Sequence, residues 1–163
     1  MPHSLNNFSD YITQALKDWH IPGAAVAVIK DGKVLHSAGH GLRDIDNALP
    51  VTENTRFPIA SMTKPFTVMG IGLLVYECLL DWDQPIRDVM PEFRLYDDYA
   101  TQHATLRDLL SHRTGLPRHD GTWYGTGKTR VELIEGLRYL KPNIGFRSLW
   151  QYNNLMYETA GHL

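Results

Sequence analysis

The most informative segment of this sequence is Thr55-Arg56-Phe57-Pro58-Ile59-Ala60-Ser61-Met62-Thr63-Lys64-Pro65-Phe66-Thr67. From Met62 to Leu80 the residues are mostly apolar with few charges, which predicts a long helix. A helix that is apolar all round has no solvent face, so we expect it to be buried at the centre of the fold. Pro65 agrees with this helix, because a first turn tolerates proline.

Ser61 and Lys64 are three residues apart at the start of this helix, so both side chains should lie on one face within reach of each other. A serine hydroxyl becomes a useful nucleophile when a nearby base takes its proton, and lysine can act as that base if its surroundings lower its pKa. The pair alone is weak evidence, because a serine N-cap with a solvated lysine gives the same letters.

Tyr152-Asn153-Asn154 supplies the groups that would complete such a site. A phenol near the serine and lysine could pass a proton to a leaving group, while an asparagine amide could orient the lysine and a substrate carbonyl. Taken alone, these three residues are more simply interpreted as an aromatic residue in a loop before a helix.

Before residues 55–67, the sequence predicts a helix, a hairpin and an irregular connection. Apolar residues recur at helical spacing from Phe8 to His20. Strands are predicted at Ala24–Ile29 and Lys33–Gly39, joined by the two-residue turn signal Asp31-Gly32. Turn-forming residues from Gly41 to Pro58 predict the connection.

Two later helices are marked by capping boxes, Thr105 with Asp108 and Thr129 with Glu132. In this motif the threonine hydroxyl and the acidic side chain satisfy amide donors of the first helical turn. Gly115 is expected to close the first of these two helices.

Length, composition and charge indicate the class of protein. With 163 residues, 43% of them hydrophobic, we expect one domain over residues 1–163 without an internal boundary. A net charge of −2 argues against a nucleic-acid role. No apolar stretch reaches the roughly 20 residues of a membrane helix. The N-terminus lacks a secretory pattern, which predicts a cytoplasmic protein, although a removed leader is left open.

The single cysteine and the eight histidines give no sign of redox or metal chemistry. Cys78 lies in an apolar run, which predicts a packed thiol. The histidines show no metal-ligand spacing, so no metal and no cofactor is expected.

The stretch at 55–67 resembles the nucleophile region of the class C β-lactamase-like serine hydrolases. Further segments resemble the same family in the expected order: Ile21-Pro22-Gly23, Leu109-Leu110-Ser111-His112-Arg113-Thr114-Gly115-Leu116-Pro117, and Tyr152-Asn153-Asn154 ahead of an apolar helix with Gly161. The family includes class C β-lactamases, D-alanyl-D-alanine carboxypeptidases, D-aminopeptidases and certain esterases. The resemblance implies an α+β, β-lactamase/transpeptidase-like fold, in which helices flank an antiparallel sheet beside a mostly helical region.

The resemblance also implies roles for four residues. Ser61 would be the acylated nucleophile, with its backbone amide as half of an oxyanion hole, and Lys64 would accept its proton. Tyr152 would be a second proton relay, and Asn154 would orient the substrate. The implied activity is that of a serine hydrolase that forms an acyl-enzyme on an ester, amide or β-lactam carbonyl of a small molecule or short peptide. An esterase or a D-amino-acid peptidase fits best, and no cofactor is implied.

The family's third motif, on a strand after the tyrosine segment, is absent from this sequence. The C-terminal strands that complete the sheet are missing with it, so residues 1–163 would be the N-terminal part of a single domain. We therefore expect a complementary C-terminal polypeptide as partner. Two alternatives stay open, a penicillin-binding or sensor-type module that acylates without turnover, and an incomplete structural unit.

Overall fold

Asp31 and Gly32 form the turn of the predicted hairpin, and both have positive φ angles, 50° and 71°. Two successive positive φ angles define the type I′ turn, whose twist matches that of paired strands. The turn joins strands β1 (Gly23–Lys30) and β2 (Lys33–Asp44), which pair antiparallel. The hairpin prediction is therefore confirmed in this computed structural model, which describes residues 5–163.

The described chain forms two compact units, one ending at Pro58 and the other spanning Ile59–Leu163. The first unit contains helix α1 (Phe8–Asp18) and a three-stranded sheet of order β1-β2-β3. The Phe8 ring of α1 lies edge-on to the His36 ring of β2, with centroids 5.0 Å apart. The expectation of one domain without an internal boundary stays a prediction.

The sheet extends further than the sequence predicts. Strand β2 continues to Asp44, and the short strand β3 (Leu49–Pro50) pairs with it where we predicted only irregular connection. Close backbone contact explains the extension. Gly41 has a φ of +70° and lies so close to the Pro22 carbonyl that a side chain there would clash, so glycine is needed for the strand to pass this point.

The second unit is helical and contains all the residues of the candidate site. A 3₁₀ turn, Ala60–Thr63, leads directly into helix α2, Lys64–Tyr76. Five shorter helices follow: α3 (Ile86–Val89), α4 (Asp98–His103), α5 (Leu106–Leu110), α6 (Arg130–Gly136) and α7 (Asn154–Ala160). The fully buried side chains that join them include Ile86, Phe93, Leu106, Leu109, Leu116, Leu137, Leu155 and Met156.

Both predicted capping boxes are present. In α5 and in α6 the threonine side chain accepts from the backbone N–H three residues on, and the acidic side chain accepts from the threonine backbone. The predicted end of α5 at Gly115 is wrong, because the helix stops at Leu110. His112 adopts a left-handed conformation at this point, with a φ of 60°, and ends the helix without a glycine.

The prediction of a buried helix over Met62–Leu80 is wrong in two respects. The segment starts as a 3₁₀ turn, and its α-helical part ends at Tyr76. Only Ile71 of α2 is buried, while Phe66, Met69 and Leu73 are each more than half exposed. The apolar sequence gives no polar face, but the later helices of this unit cover only one side of α2.

Cys78 is exposed, so the prediction of a packed thiol is also wrong. Its backbone explains both this and the early end of α2. Cys78 has a φ of 59°, its N–H donates to the Val75 carbonyl, and the N–H of Leu79 donates to the Leu74 carbonyl. These two bonds make a Schellman motif, which ends a helix at a left-handed residue.

Candidate active site

Ser61 and Lys64 meet at the start of α2, as their spacing predicts. Ser61 lies in the 3₁₀ turn and Lys64 is the first residue of the α-helix. The Nζ of Lys64 donates to the Oγ of Ser61 at 3.2 Å. Ser61 is exposed and Lys64 is partly buried, so the hydroxyl faces solvent while the ammonium lies behind it.

Tyr152 and Asn154 complete a cluster of four side chains. The Oη of Tyr152 lies 2.6 Å from the Oγ of Ser61 and 2.6 Å from the Nζ of Lys64. The Oδ1 of Asn154 accepts a third hydrogen bond from Lys64 at 2.7 Å. Residues 91 positions apart in the chain thus share one hydrogen-bond network, and all four predicted site residues belong to it.

The Lys64 ammonium has a partner for each of its three N–H groups: Tyr152, Asn154 and Ser61. Burial opposes ionisation of the Tyr152 phenol, but hydrogen bonds from Lys64 and Ser61, with the positive charges of Lys64 and Arg118, outweigh it. The net effect lowers the pKa of Tyr152 below its ordinary value of 10.0. The phenol therefore gives up its proton more easily than a free tyrosine does.

The residues that hold Tyr152 in place were not predicted from the sequence. Asn153 is fully buried and caps α7 by accepting from the N–H of Met156 at 3.2 Å. An asparagine just before an apolar run is a recognised N-cap signal, so this role was open to sequence reasoning. His112 is also buried, and its Nδ1 accepts from the N–H of Asn153 at 3.2 Å. Burial and the charge of Lys64 lower the pKa of His112 below 6.5.

A buried ion-pair network anchors the chain segment that leads to Tyr152. The Asp108 carboxylate is fully buried and accepts from Arg113 at 2.7 Å and from Arg147 at 2.9 and 2.7 Å. Burial opposes its ionisation, yet hydrogen bonds from Arg147 and Thr105 prevail and lower the pKa of Asp108 below 3.8. Asp108 was predicted only as a capping residue of α5, and its second role depends on an arginine 39 positions away.

A cleft of about 400 Å³ opens beside the cluster. Its lining includes Ser61, Lys64, Asn154, the Trp123 side chain and the ion pair of Arg130 with Glu158. The aromatic residues of this lining are Trp123 and Tyr157. Tyr96, Tyr99 and Tyr124 are exposed and lie outside its lining.

Within residues 5–163, no group of three or more histidine, cysteine, aspartate or glutamate side chains is placed to hold a metal ion. Over the same residues, no helix combines the length and the apolar character that crossing a bilayer requires.

Known proteins that are similar to this chain include two hydrolases and a penicillin-binding protein homologue. A hydrolase of unguisins from Aspergillus campestris is 34% identical over 96% of this chain, which covers 31% of that protein. The D-amino acid amidase of Ochrobactrum anthropi SV3 is 28% identical, with a TM-score of 0.77 over 97% of this chain and 44% of its own. An octameric penicillin-binding protein homologue from Pyrococcus abyssi is 26% identical, with a TM-score of 0.80 over 96% of this chain and 37% of its own.

The chain thus spans about a third of the length of the curated relatives it matches. The expected β-lactamase/transpeptidase-like α+β fold is confirmed by the solved structures. The family model described as Beta-lactamase matches residues 8–163, almost the whole sequence, and the chain therefore belongs to the beta-lactamase family of serine hydrolases.

Proposed function

We propose that this chain carries the nucleophile and the proton-transfer groups of a serine hydrolase that works through an acyl-enzyme. The observation that carries the proposal is the pair of 2.6 Å contacts of the Tyr152 Oη, one to the Ser61 Oγ and one to the Lys64 Nζ. A nucleophile within hydrogen-bond reach of a base, with a third group that orients the base, is the arrangement that activates a serine.

In the first step the Ser61 Oγ attacks the substrate carbonyl carbon while its proton passes to the ionised Oη of Tyr152. Lys64, as an ammonium, stabilises the phenolate before the transfer, since it donates to the same oxygen. The tetrahedral intermediate then expels its leaving group, which takes the proton from Tyr152. An ester on Ser61 results, and a water molecule attacks it by the same route in reverse, with Tyr152 accepting the proton of the water.

This scheme assigns the first proton transfer to Tyr152 rather than to Lys64. The Ser61 Oγ is closer to the phenol oxygen, at 2.6 Å, than to the lysine nitrogen, at 3.2 Å. All three N–H groups of an ammonium at Lys64 already have acceptors. Lys64 therefore acts in this proposal as a fixed positive charge that favours the phenolate, and Asn154 orients it.

For the substrate we propose an ester or amide of an amino acid or short peptide. Trp123 offers an apolar wall in the cleft, and Arg130 and Glu158 offer charges of both signs. Such a lining suits a molecule with one apolar side chain and charged ends. The name of one relative, a D-amino acid amidase, favours amide substrates.

We further propose that a C-terminal polypeptide of the same family covers the exposed face of α2. Met62, Phe66, Met69, Leu73 and Tyr76 recur at alternating spacings of four and three, and each is more than half exposed. This spacing forms a continuous apolar stripe along one side of a helix, and such a stripe marks an interaction surface. The relatives, about three times as long as this chain, contain additional polypeptide that could cover it.

Co-purification tests whether a C-terminal polypeptide binds the apolar stripe of α2. Phe66→Asp should reduce recovery of the C-terminal polypeptide with this chain, because it places a charge within the stripe. Val131→Asp, at a half-exposed valine outside the stripe, is the matched control. Equal recovery with both variants, or a stripe that instead pairs two copies of this chain, would contradict the proposal.

Active-site labelling followed by mass spectrometry tests the function. A fluorophosphonate or penicillin probe should label Ser61, and Ser61→Ala should abolish the label while Ser148→Ala keeps it. Lys64→Ala and Tyr152→Phe should each slow acylation by a factor of about 10² to 10⁴, the usual contribution of general acid–base catalysis. Tyr124→Phe, at an exposed tyrosine, should leave the rate unchanged.

The outcomes separate the functions. Labelling with steady ester or amide hydrolysis supports an enzyme, and stable labelling without turnover identifies a sensor-type module. Absence of labelling on the intact protein would remove Ser61 as nucleophile. A normal acylation rate in Tyr152→Phe would show that the phenol takes no part in proton transfer.

A further inference from the structure

We propose that His112 is a positioning residue for Tyr152, which holds the backbone on both sides of the phenol and packs against its ring. The inference rests on the proposed function, in which the Tyr152 Oη takes the proton of Ser61. His112 does not touch the reacting atoms of the proposed mechanism, so it would act through Tyr152 alone.

The end of α5 places His112 where it can do this. The N–H of His112 donates to the Leu109 carbonyl, and the N–H of Arg113 donates to the Asp108 carbonyl. These bonds form a Schellman motif with His112 as its left-handed residue, at a φ of 60°. Asparagine, aspartate and histidine adopt the left-handed conformation more often than other residues with a side chain, and the reason for a histidine at this position lies in its contacts.

That reason is visible in the two hydrogen bonds that bracket Tyr152. The carbonyl of His112 accepts from the N–H of Gln151 at 2.9 Å. The Nδ1 of its ring accepts from the N–H of Asn153 at 3.2 Å. One residue therefore fixes the main chain immediately before and immediately after the phenol, and the second of these bonds needs the side chain.

The imidazole ring also limits the motion of the phenol ring. Its centroid lies 4.7 Å from that of Tyr152, 5.2 Å from that of Tyr157 and 5.7 Å from that of Trp150. His112 is 7% exposed, so the contacts are shielded from solvent. An Nδ1 that accepts requires a neutral ring with its proton on Nε2, and the lowered pKa of His112 agrees with a neutral ring.

Accurate placement of Tyr152 matters because its oxygen serves two partners at 2.6 Å. A displacement of about 1 Å at a reacting group can cost roughly 10²-fold in rate. Loss of the His112 side chain should therefore slow acylation of Ser61 by about 10- to 100-fold, with little effect on substrate binding, since His112 lies outside the cleft lining.

Two substitutions distinguish the contribution of the His112 side chain from that of its backbone conformation. His112→Gly removes the ring and keeps the left-handed conformation, which glycine adopts freely. His112→Asn also tolerates that conformation and carries an amide oxygen as far from the backbone as Nδ1, so it can accept from Asn153. His103→Ala is the control, because His103 is an exposed histidine whose ring stacks on Tyr99, away from the cluster.

For each variant of the intact protein, we measure separately the rate at which the labelling probe acylates Ser61 and the apparent binding constant of that probe. We expect a slower acylation with unchanged binding for His112→Gly, most of the rate restored in His112→Asn, and the wild-type rate in His103→Ala. If the wild-type protein is labelled at Ser61 and His112→Gly acylates equally fast, the positioning role is wrong while the proposed function stands.

Hydrogen exchange tests the placement without any need for activity. The Asn153 amide should lose protection in His112→Gly and keep it in His112→Asn, while the Gln151 amide, bonded to the main chain of His112, stays protected in both. Equal protection of Asn153 in wild type and His112→Gly overturns the inference. If His112→Gly does not fold, ¹⁵N NMR of the wild-type protein shows which nitrogen of the His112 imidazole carries the proton. A proton on Nδ1 overturns the inference.

Discussion

Replacement of Asp108 by asparagine tests whether the buried ion-pair network stabilises the helical unit. The carboxylate accepts five hydrogen bonds, two at Oδ1 and three at Oδ2: Arg113 Nη2 and Arg147 Nε, and then Arg147 Nη2, Thr105 N and Thr105 Oγ1. Asparagine keeps the shape but turns one oxygen into a donor. Whichever way the amide faces, at least two of the five bonds are lost.

The size of the effect follows from these bonds. A hydrogen bond to a charged group contributes about 1.5–3 kcal/mol, so two lost bonds cost about 3–6 kcal/mol. Arg113 and Arg147 have side chains 39% and 43% exposed and can regain water, which favours the lower end, about 3–4 kcal/mol. For a chain of this size that lowers the unfolding midpoint by about 6–16 °C.

Thermal and urea unfolding followed by circular dichroism measure this change. Asp83→Asn is the matched control, because Asp83 also binds an arginine through two bonds, but both side chains are exposed. Exposed pairs are screened by water, so the control should move the midpoint little. A midpoint for Asp108→Asn no lower than that of Asp83→Asn would show that the Asp108 network does not stabilise this unit.

The same variant has a predicted pH dependence. The folded-state pKa of Asp108 lies below its ordinary value of 3.8, so its contribution to stability is fully present above the unfolded pKa. It is lost as the pH falls through the lower folded value. The difference in unfolding free energy between wild type and Asp108→Asn should therefore be constant from pH 7 to about pH 5 and shrink below about pH 4.

Two further predictions concern Tyr152 and its neighbour. Because the pKa of Tyr152 is lowered from 10.0, the acylation rate should rise with pH through an apparent pKa below that value; a pH profile measures it, and the same rise in Tyr152→Phe would contradict a phenolate base. Asn153→Ala should lower the unfolding free energy by about 2–3 kcal/mol, since it removes the cap of α7 and leaves the partly buried Pro117 carbonyl without its donor. Denaturant unfolding measures this, and stability equal to wild type would show that the cap is dispensable.

Local sequence signals predicted several elements correctly. Asp31-Gly32 fixes the hairpin because both residues must have positive φ, and few residue pairs allow this. Thr105 and Thr129 fix the starts of α5 and α6 because each capping box closes within four residues. In these cases the residues that interact are near neighbours in the chain, so no tertiary information is needed.

Other features depend on distant contacts or on unusual backbone geometry. Cys78 and His112 end helices in the left-handed conformation, where glycine would have been the recognisable signal. The exposed side of α2 could not be foreseen, because a uniformly apolar helix gives no indication of which side its neighbours cover. The pairing of Asp108 with Arg147, 39 positions away, is set by the fold.

The candidate site combines both kinds of information. Ser61 and Lys64 meet because of their spacing, whereas Tyr152 reaches them only through the fold, 91 residues further along the chain. Its position depends on the end of α5, where His112 bonds to both neighbours of Tyr152, and on Asp108, which binds the arginine at position 147. Since α5 and the turn that ends it supply both anchors, the capping box at Thr105 stabilises the helix that holds the proposed base against the nucleophile. A change in that cap should therefore alter acylation as well as stability.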